Sequence, residues 1–150
     1  MKKLAFDSRR VAGFSPSGHE DTYVSRMLVD RTSVGSTRMV VNHFTLKPGK
    51  QTEAGSHPTP YDELYYVLRG KGVLYLGDPP EATEIRPDFV AFIPAGTNHA
   101  LDNTGTDDLE LITMMPAELK KGGNPLYDAR KKEWGTSFRM ADNGCSGDDG

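Results

Sequence analysis

Short apolar runs, each closed by a turn signal, recur through the middle of the chain. Five runs of four to ten residues lie at 37–46, 64–68, 73–76, 89–93 and 109–115. A Gly or a Pro follows each of them within two residues, and the runs are rich in aliphatic, β-branched and aromatic residues. Runs of this length and composition are typical of β-strands. With no helical period between them and no internal repeat, they predict a single antiparallel sandwich or barrel.

The regions on either side of these strands have a different composition. The chain divides into an N-terminal arm at 1–36, a barrel at 37–116, a C-terminal extension at 117–140 and a tail at 141–150. The arm contains one expected strand at residues 23–29. The stretches PAELKK and LYDARKKEW predict short helices in the extension, and the polar, Gly-rich tail is typical of disorder.

Charge and composition narrow the function classes. The net charge is −3 with both signs mixed along the chain, which argues against nucleic-acid binding because no basic stripe is available to neutralise phosphates. No apolar run approaches the ~18 residues expected of a membrane span. The stretch MKKLAFDSRR turns polar before a signal-type apolar core forms. We therefore expect a cytoplasmic protein without a membrane partner, and its single cysteine allows no internal disulfide.

The alternation of side chains along a strand brings out one group of candidate ligands. Glu63, Tyr65 and Val67 share a strand face, and a carboxylate buried on such an apolar face needs a partner. His57 lies shortly before Glu63, and His99 follows a tight turn that begins at Pro94. Two imidazoles and one carboxylate form a three-ligand set for a divalent transition metal. The residues alone leave an alternative open, in which the two histidines are surface or packing residues.

Two motifs in the segment 48–103 resemble those of the cupins. The first motif, G-x5-H-x-H-x(3,4)-E-x6-G, is matched at His57, Glu63 and Gly70. The second, G-x5-P-x-G-x2-H-x3-N, is matched with correct spacing at Pro94, Gly96, His99 and Asn103. The resemblance implies an all-β, antiparallel double-stranded β-helix (jelly-roll) barrel. It also implies a homodimer and one divalent transition metal (Fe, Zn, Mn or Ni), held by His57, Glu63 and His99.

The chain departs from the cupin motifs at three positions. Thr59 stands where a second histidine is expected, Asp88 replaces the first Gly of the second motif, and Gly49 lies two residues too early. A rival register aligns His57 with the second histidine position and makes Asp62 the acidic ligand, at the cost of the spacing to Gly70. Both registers keep His57 and His99 as ligands.

Further residues are candidates for catalysis and for substrate binding. The candidate acid–base residues are Tyr61, Tyr65, His43 and Glu53, and the candidate substrate-binding residues are Gln51, Thr59, Tyr75 and Phe92. In an extended segment Gln51 and Glu53 share parity with His57, which predicts that they point inward. For the aromatic residues the alternative is a plain core role, and for His43 it is an exposed or hydrogen-bonded place on its strand.

The ligand set favours a metal-dependent enzyme acting on a small organic molecule. Two histidines and one carboxylate are typical of non-haem iron oxygenases, so a dioxygenase is the leading class. The alternatives are a non-redox metalloenzyme (isomerase, lyase or polyketide-type cyclase) and a non-catalytic module that binds a sugar or another metabolite. The chain has no G-x-G-x-x-G, Walker or G-x-S-x-G motif, so nucleotide cofactors and serine-triad chemistry are not indicated.

Overall fold

Ten β-strands build the part of the chain that a computed structural model describes, namely residues 4–11, 13–16, 20–31, 33–57, 61–117 and 138–141. In chain order they are β1 (Gly13–Pro16), β2 (Tyr23–Val29), β3 (Met39–Leu46), β4 (Glu63–Arg69), β5 (Gly72–Leu76), β6 (Glu81–Ile85), β7 (Val90–Ile93), β8 (His99–Asp102), β9 (Leu109–Pro116) and β10 (Phe138–Ala141). A 3₁₀ turn at Ser8–Arg10 precedes them. The described residues contain no helix long and apolar enough to cross a membrane.

The strands form two antiparallel sheets that share one core. The larger sheet has the order β10-β1-β2-β3-β9-β4-β7, and the smaller has the order β6-β5-β8. Phe44, Val67 and Leu111 from the larger sheet join Leu74 and Leu101 from the smaller in one buried cluster. Burying side chains of this size contributes about 1.5–3 kcal/mol each, so contact between the two inner faces holds the barrel together.

Alternating burial along β4 decides which side chains face this core. Glu63, Tyr65 and Val67 are buried, whereas the intervening Leu64 and Tyr66 are only half-buried. This is the period of two that a strand with one face on the core imposes. The same alternation turns the acidic residue at the start of β4 toward the interior.

The turn after β4 depends on a glycine. Gly70 has a φ of +82°, and a Cβ at this position would collide with the backbone carbonyl oxygen of Asp108. Only glycine tolerates both the left-handed conformation and the close approach of a second backbone. The Gly70 of the first motif is therefore required by the turn that leads from β4 into β5.

The predicted all-β, antiparallel fold is confirmed. The five apolar runs correspond to β3, β4, β5, β7 and β9, and the strand predicted at 23–29 is β2. The predicted boundary at residue 37 falls between β2 and β3, which pair in the larger sheet. Most of the predicted helical extension lies outside the described residues. Residues 138–141, which follow the two predicted helices at the expected boundary between extension and tail, form β10 and pair with β1.

Candidate metal centre

Three separate segments converge on one end of the barrel interior. Glu63 is the first residue of β4 in the larger sheet, and His99 is the first residue of β8 in the smaller sheet. His57 follows Gly55, whose backbone N–H and carbonyl both bond to the backbone of His99, with N···O distances of 3.1 and 2.8 Å. This pairing fixes the two histidine-bearing segments side by side and faces them toward β4.

The three side chains meet at a single carboxylate oxygen. Oε2 of Glu63 lies 3.0 Å from Nε2 of His57 and 3.3 Å from Nε2 of His99. The exposed fractions of the side chains are 11% for His57, 3% for Glu63 and 9% for His99. Their candidate ligand atoms all lie within 4.8 Å of one another. A single small cation can therefore contact all three.

A backbone carbonyl orients the imidazole of His99. Its Nδ1 lies 3.0 Å from the carbonyl oxygen of Thr97 and donates its proton there, because the carbonyl can only accept. This leaves Nε2 as the ring nitrogen that faces Glu63, where a bound metal would accept its lone pair. A metal-ligating histidine usually donates its other ring N–H to a backbone carbonyl, a carboxylate or water in this way, which fixes its tautomer.

The carboxyl group of Glu63 is ionised at neutral pH. Burial raises its pKa, but the hydrogen bonds and charges of His57 and His99 outweigh burial and lower the pKa to about 2. A buried carboxylate facing two imidazole nitrogens needs a positive charge between them, either protons on the rings or a bound cation. Two nitrogen donors and one oxygen donor suit a first-row divalent metal, so the residues present fit the ion that the motifs imply.

The structure distinguishes between the two motif registers. Glu63 carries the carboxylate that reaches the histidines, whereas Oδ1 of the exposed Asp62 accepts a hydrogen bond from the backbone N–H of Ala95 at 2.9 Å. Asp88, at the position of the second motif's first Gly, has a φ of +69°. The turn keeps the left-handed conformation that the motif's Gly would supply, and Asp tolerates it better than most residues.

Two of the predicted acid–base residues lie in the buried region. Tyr65 is 7% exposed, and its ring makes an edge contact with the ring of His99 at a centroid distance of 6.1 Å. Tyr61 is buried just before β4. Thr59, the predicted substrate-binding residue at the position of the missing histidine, lies outside the described residues.

His43 does not reach this centre. It alternates with Asn42 and Phe44, which are buried, and so it faces the outer side of the larger sheet. There its Nε2 lies 3.2 Å from Oε2 of Glu110. The prediction of a catalytic role for His43 is wrong in geometry, because its position along β3 has the opposite parity to the residues that face inward.

Gln51 and Glu53 are also misplaced by the simple alternation. Gln51 pairs with Asp102, and Gly55 pairs with His99. Gly55 is four residues after Gln51, but their partners His99 and Asp102 are only three residues apart. The extra residue is a bulge that changes the parity of the segment. Gln51 therefore shares the face of Asp102 rather than that of His99, and both Gln51 and Glu53 are exposed.

The two remaining aromatic candidates face away from the interior. Tyr75 pairs with Ala100 and alternates with the buried Leu74, which places it on the outer side of the smaller sheet. Phe92 alternates with the buried Ile93 and is 60% exposed. The prediction that Tyr75 and Phe92 line the cavity is therefore wrong, because each alternates with a neighbour that faces the interior.

Sequence reasoning missed two polar residues on the inner wall. Thr113 pairs with both Tyr65 and Asn42, and all three are buried in one row across the larger sheet. Oδ1 of Asn42 is buried and has no hydrogen-bond partner among the described residues. Their position among inward-facing apolar residues of β3 and β9 was a usable signal, since polar residues at core positions are uncommon.

Comparison with known proteins gives a family and several distant relatives. Residues 42–115 match the cupin domain family. The oxalate-binding protein of Thermotoga maritima is 27% identical over 88 residues, which cover 59% of this chain and 70% of that protein. The tetracenomycin polyketide synthase protein TcmJ of Streptomyces glaucescens is 27% identical over 95 residues, covering 63% of this chain and 61% of that protein, which is less than two thirds of its length.

The fold has counterparts among solved structures. A predicted oxalate decarboxylase from Thermotoga maritima superposes with a TM-score of 0.64 at 21% identity, covering 75% of this chain and 98% of that chain. Identity at this level supports the fold alone. The double-stranded β-helix implied by the motifs is confirmed by this likeness together with the family match.

Proposed function

Since the chain belongs to the cupin superfamily, we propose that it is a metal-dependent enzyme acting on a small organic molecule, with His57, Glu63 and His99 as the metal ligands. One observation carries the proposal: a buried carboxyl group faces two imidazole nitrogens at 3.0 and 3.3 Å. A divalent ion there would neutralise the carboxylate and accept both lone pairs. Structural sites usually close with a fourth protein ligand, whereas a three-ligand set leaves positions for substrate.

A dioxygenase is the first candidate for the reaction class. A ferrous ion held by two histidines and one carboxylate has open positions at which substrate and dioxygen can meet. The protein would supply orientation and proton handling around it. Tyr65, in edge contact with His99, is the best-placed residue to exchange a proton with substrate. Asn42 and Thr113 on the same inner wall would orient polar groups of the substrate.

Two relatives favour alternatives. The likeness to a polyketide synthase protein supports a non-redox role, such as isomerisation, lyase chemistry or cyclisation of a polyketide-type substrate. In that case Lewis-acid polarisation by Zn²⁺ suffices. The likeness to an oxalate-binding protein supports a module that binds a small molecule without turnover.

The identity of the bound metal separates these classes. The chelated protein is titrated under argon with Fe²⁺, Zn²⁺, Mn²⁺ and Ni²⁺, and the bound metal is counted by mass spectrometry. We expect about one equivalent per chain. Oxygen uptake by the Fe²⁺-loaded protein with catechols or diketones, with both oxygen atoms recovered in the product, supports the dioxygenase, and turnover with Zn²⁺ supports non-redox chemistry. A folded protein that takes up none of the four metals would overturn the proposal.

The homodimer stays a prediction from the family resemblance. Val90 and Phe92 on β7, at an edge of the larger sheet, are 56% and 60% exposed. Burial of such apolar side chains in a subunit contact is favourable. Light scattering of the eluting protein measures the mass, and we expect that of two chains.

A further inference from the structure

The tight turn from Pro94 to Thr97 lies next to three segments: the one that carries His57, the start of β8 at His99 and the start of β4 at Glu63. The backbone N–H of Thr97 donates to the carbonyl of Pro94 at 3.0 Å, and Gly96 has a φ of +82°. This is the geometry of a type II turn, whose third position requires a left-handed residue. The turn leads directly to His99, so its position sets where β8 begins.

Each side of this turn is bonded to a segment of the metal centre. The N–H of Gly96 donates to the backbone carbonyl of His57 at 2.7 Å. The carbonyl of Thr97 accepts from the imidazole of His99. The N–H of Ala95 donates to the carboxylate of Asp62, which directly precedes Glu63 on the chain. One short turn thus contacts the segments of all three candidate ligands.

Among these links, Asp62 supplies the side-chain link from a residue that is not itself a candidate ligand. The other links are backbone bonds or involve a ligand itself, so they cannot be removed separately. A hydrogen bond from an amide to a carboxylate is stronger than one between neutral groups. Because Asp62 and Glu63 are neighbours on an extended chain, fixing the carboxylate of Asp62 on the turn also fixes the backbone from which Glu63 points inward.

We propose that Asp62 is a positioning residue for the metal centre, holding Glu63 in register with the turn that carries His99 through its bond to the N–H of Ala95. This inference rests on the proposed metal site. The two fail separately: without metal binding by the unaltered chain the site itself is wrong, whereas undiminished binding by an Asp62 variant refutes only the role of Asp62.

The test is a Co²⁺ titration of the full chain, read from the visible absorption bands of the bound ion. Loss of a hydrogen-bond partner that orients a metal ligand typically weakens metal binding about 10–100-fold. We expect Asp62→Ala to raise the Kd for Co²⁺ about 10-fold or more and to alter the bands at saturation. Asp62→Asn keeps an oxygen acceptor and should stay within about 3-fold of the unaltered chain. The matched control is Glu84→Ala, which removes an exposed carboxylate from β6.

A second variant removes the same hydrogen bond from its other end. Ala95→Pro deletes the donor N–H at a turn position where proline is favoured. It should weaken Co²⁺ binding as Asp62→Ala does, and the double variant should bind no more weakly than either single one. It also keeps the test available if Asp62→Ala does not fold.

Three results would overturn the inference. The first is a Kd and a spectrum of Asp62→Ala equal to those of the unaltered chain. The second is equal weakening by Asp62→Asn, which would indicate the charge rather than the bond. The third is full additivity of the losses in the double variant, since residues that act through one bond do not add.

Discussion

Two histidine–glutamate pairs lie on opposite faces of the larger sheet, and their contact distances are nearly the same. On the inner face Nε2 of His57 is 3.0 Å from Glu63, and on the outer face Nε2 of His43 is 3.2 Å from Glu110. The two pairs differ in what else touches the carboxylate. Inside, Glu63 meets a second imidazole, that of His99. Outside, Glu110 meets the guanidinium of Arg69 at 3.6 Å.

This difference decides what each pair can do. Arg69 brings its own positive charge and has no lone pair to offer, so the outer group is already neutralised and leaves no role for a metal. The inner group offers two imidazole lone pairs and a carboxylate that is only 3% exposed, whereas Glu110 is 24% exposed. A histidine close to a glutamate is therefore no sign of a metal site by itself. The third group at the carboxylate, an imidazole inside and a guanidinium outside, decides whether the pair can hold a metal.

The largest expected effect comes from removing each carboxylate in turn. Glu63→Gln should reduce bound metal from about one equivalent to a small fraction, because an amide is a poor ligand and carries no charge to balance the ion. Glu110→Gln should leave the metal content unchanged. Mass spectrometry of both purified variants after the same loading makes this measurement. Equal losses of metal in the two variants would contradict the assignment of the metal centre to the inner face.

The pH dependence of stability should also distinguish the inner pair from the outer one, because it depends on the carboxyl group of Glu63. Its pKa in the folded chain is about 2, against 4.5 for the unperturbed group. A carboxyl group whose pKa is lower in the folded chain stabilises the fold fully at a pH above its pKa in the unfolded chain. This stabilisation is lost as the pH falls from about 4.5 toward 2. The full effect is on the order of 3 kcal/mol. Without metal, the free energy of unfolding should therefore drop more steeply over this range in the unaltered chain than in Glu63→Gln.

Urea denaturation with a chelator present, at pH 6 and at pH 3, measures that difference. Glu110→Gln serves as the control, and we expect its acid dependence to follow that of the unaltered chain. The same pH dependence in Glu63→Gln and in the unaltered chain would mean that the inner carboxylate is not held ionised by the two histidines.

The smallest effect is expected from His43→Gln on the outer face. A hydrogen bond between partly buried side chains contributes about 0.5–1.5 kcal/mol. We expect the free energy of unfolding to fall by no more than about 1.5 kcal/mol and the metal content to stay at one equivalent. Urea denaturation and metal analysis of the same preparation test both. Loss of the metal would place His43 in the centre after all.

The hydrophobic pattern predicted most of the strands, because strands with a buried face carry apolar residues at every second position. It missed β6, whose residues Glu81–Glu84 are all exposed and which is an edge strand of the smaller sheet. Such a strand has no apolar face for the pattern to detect. β10 was missed because its partner, β1, is distant in sequence and pairing across that distance leaves no local signal.

The candidate metal ligands were predicted by motif spacing, whereas the surrounding residues were not. Spacing along the chain is enough for His57, Glu63 and His99, since they stand at turns and strand starts that the motifs define. The error for Gln51 came from one extra residue in a bulge, which no composition signal reveals. The errors for His43, Tyr75 and Phe92 came from choosing residue types without fixing the parity of each strand.

The placement of Glu63 on one sheet and His99 on the other has a consequence for the lifetime of the folded chain. An ion bound to both would cross-link the two halves of the barrel, closing a loop that runs from residue 63 to residue 99. Such a cross-link exists only in the folded state, so bound metal favours that state by mass action. Separating the sheets would then require release of the ion. Free metal concentration would therefore set how long the protein persists as well as whether its centre is filled.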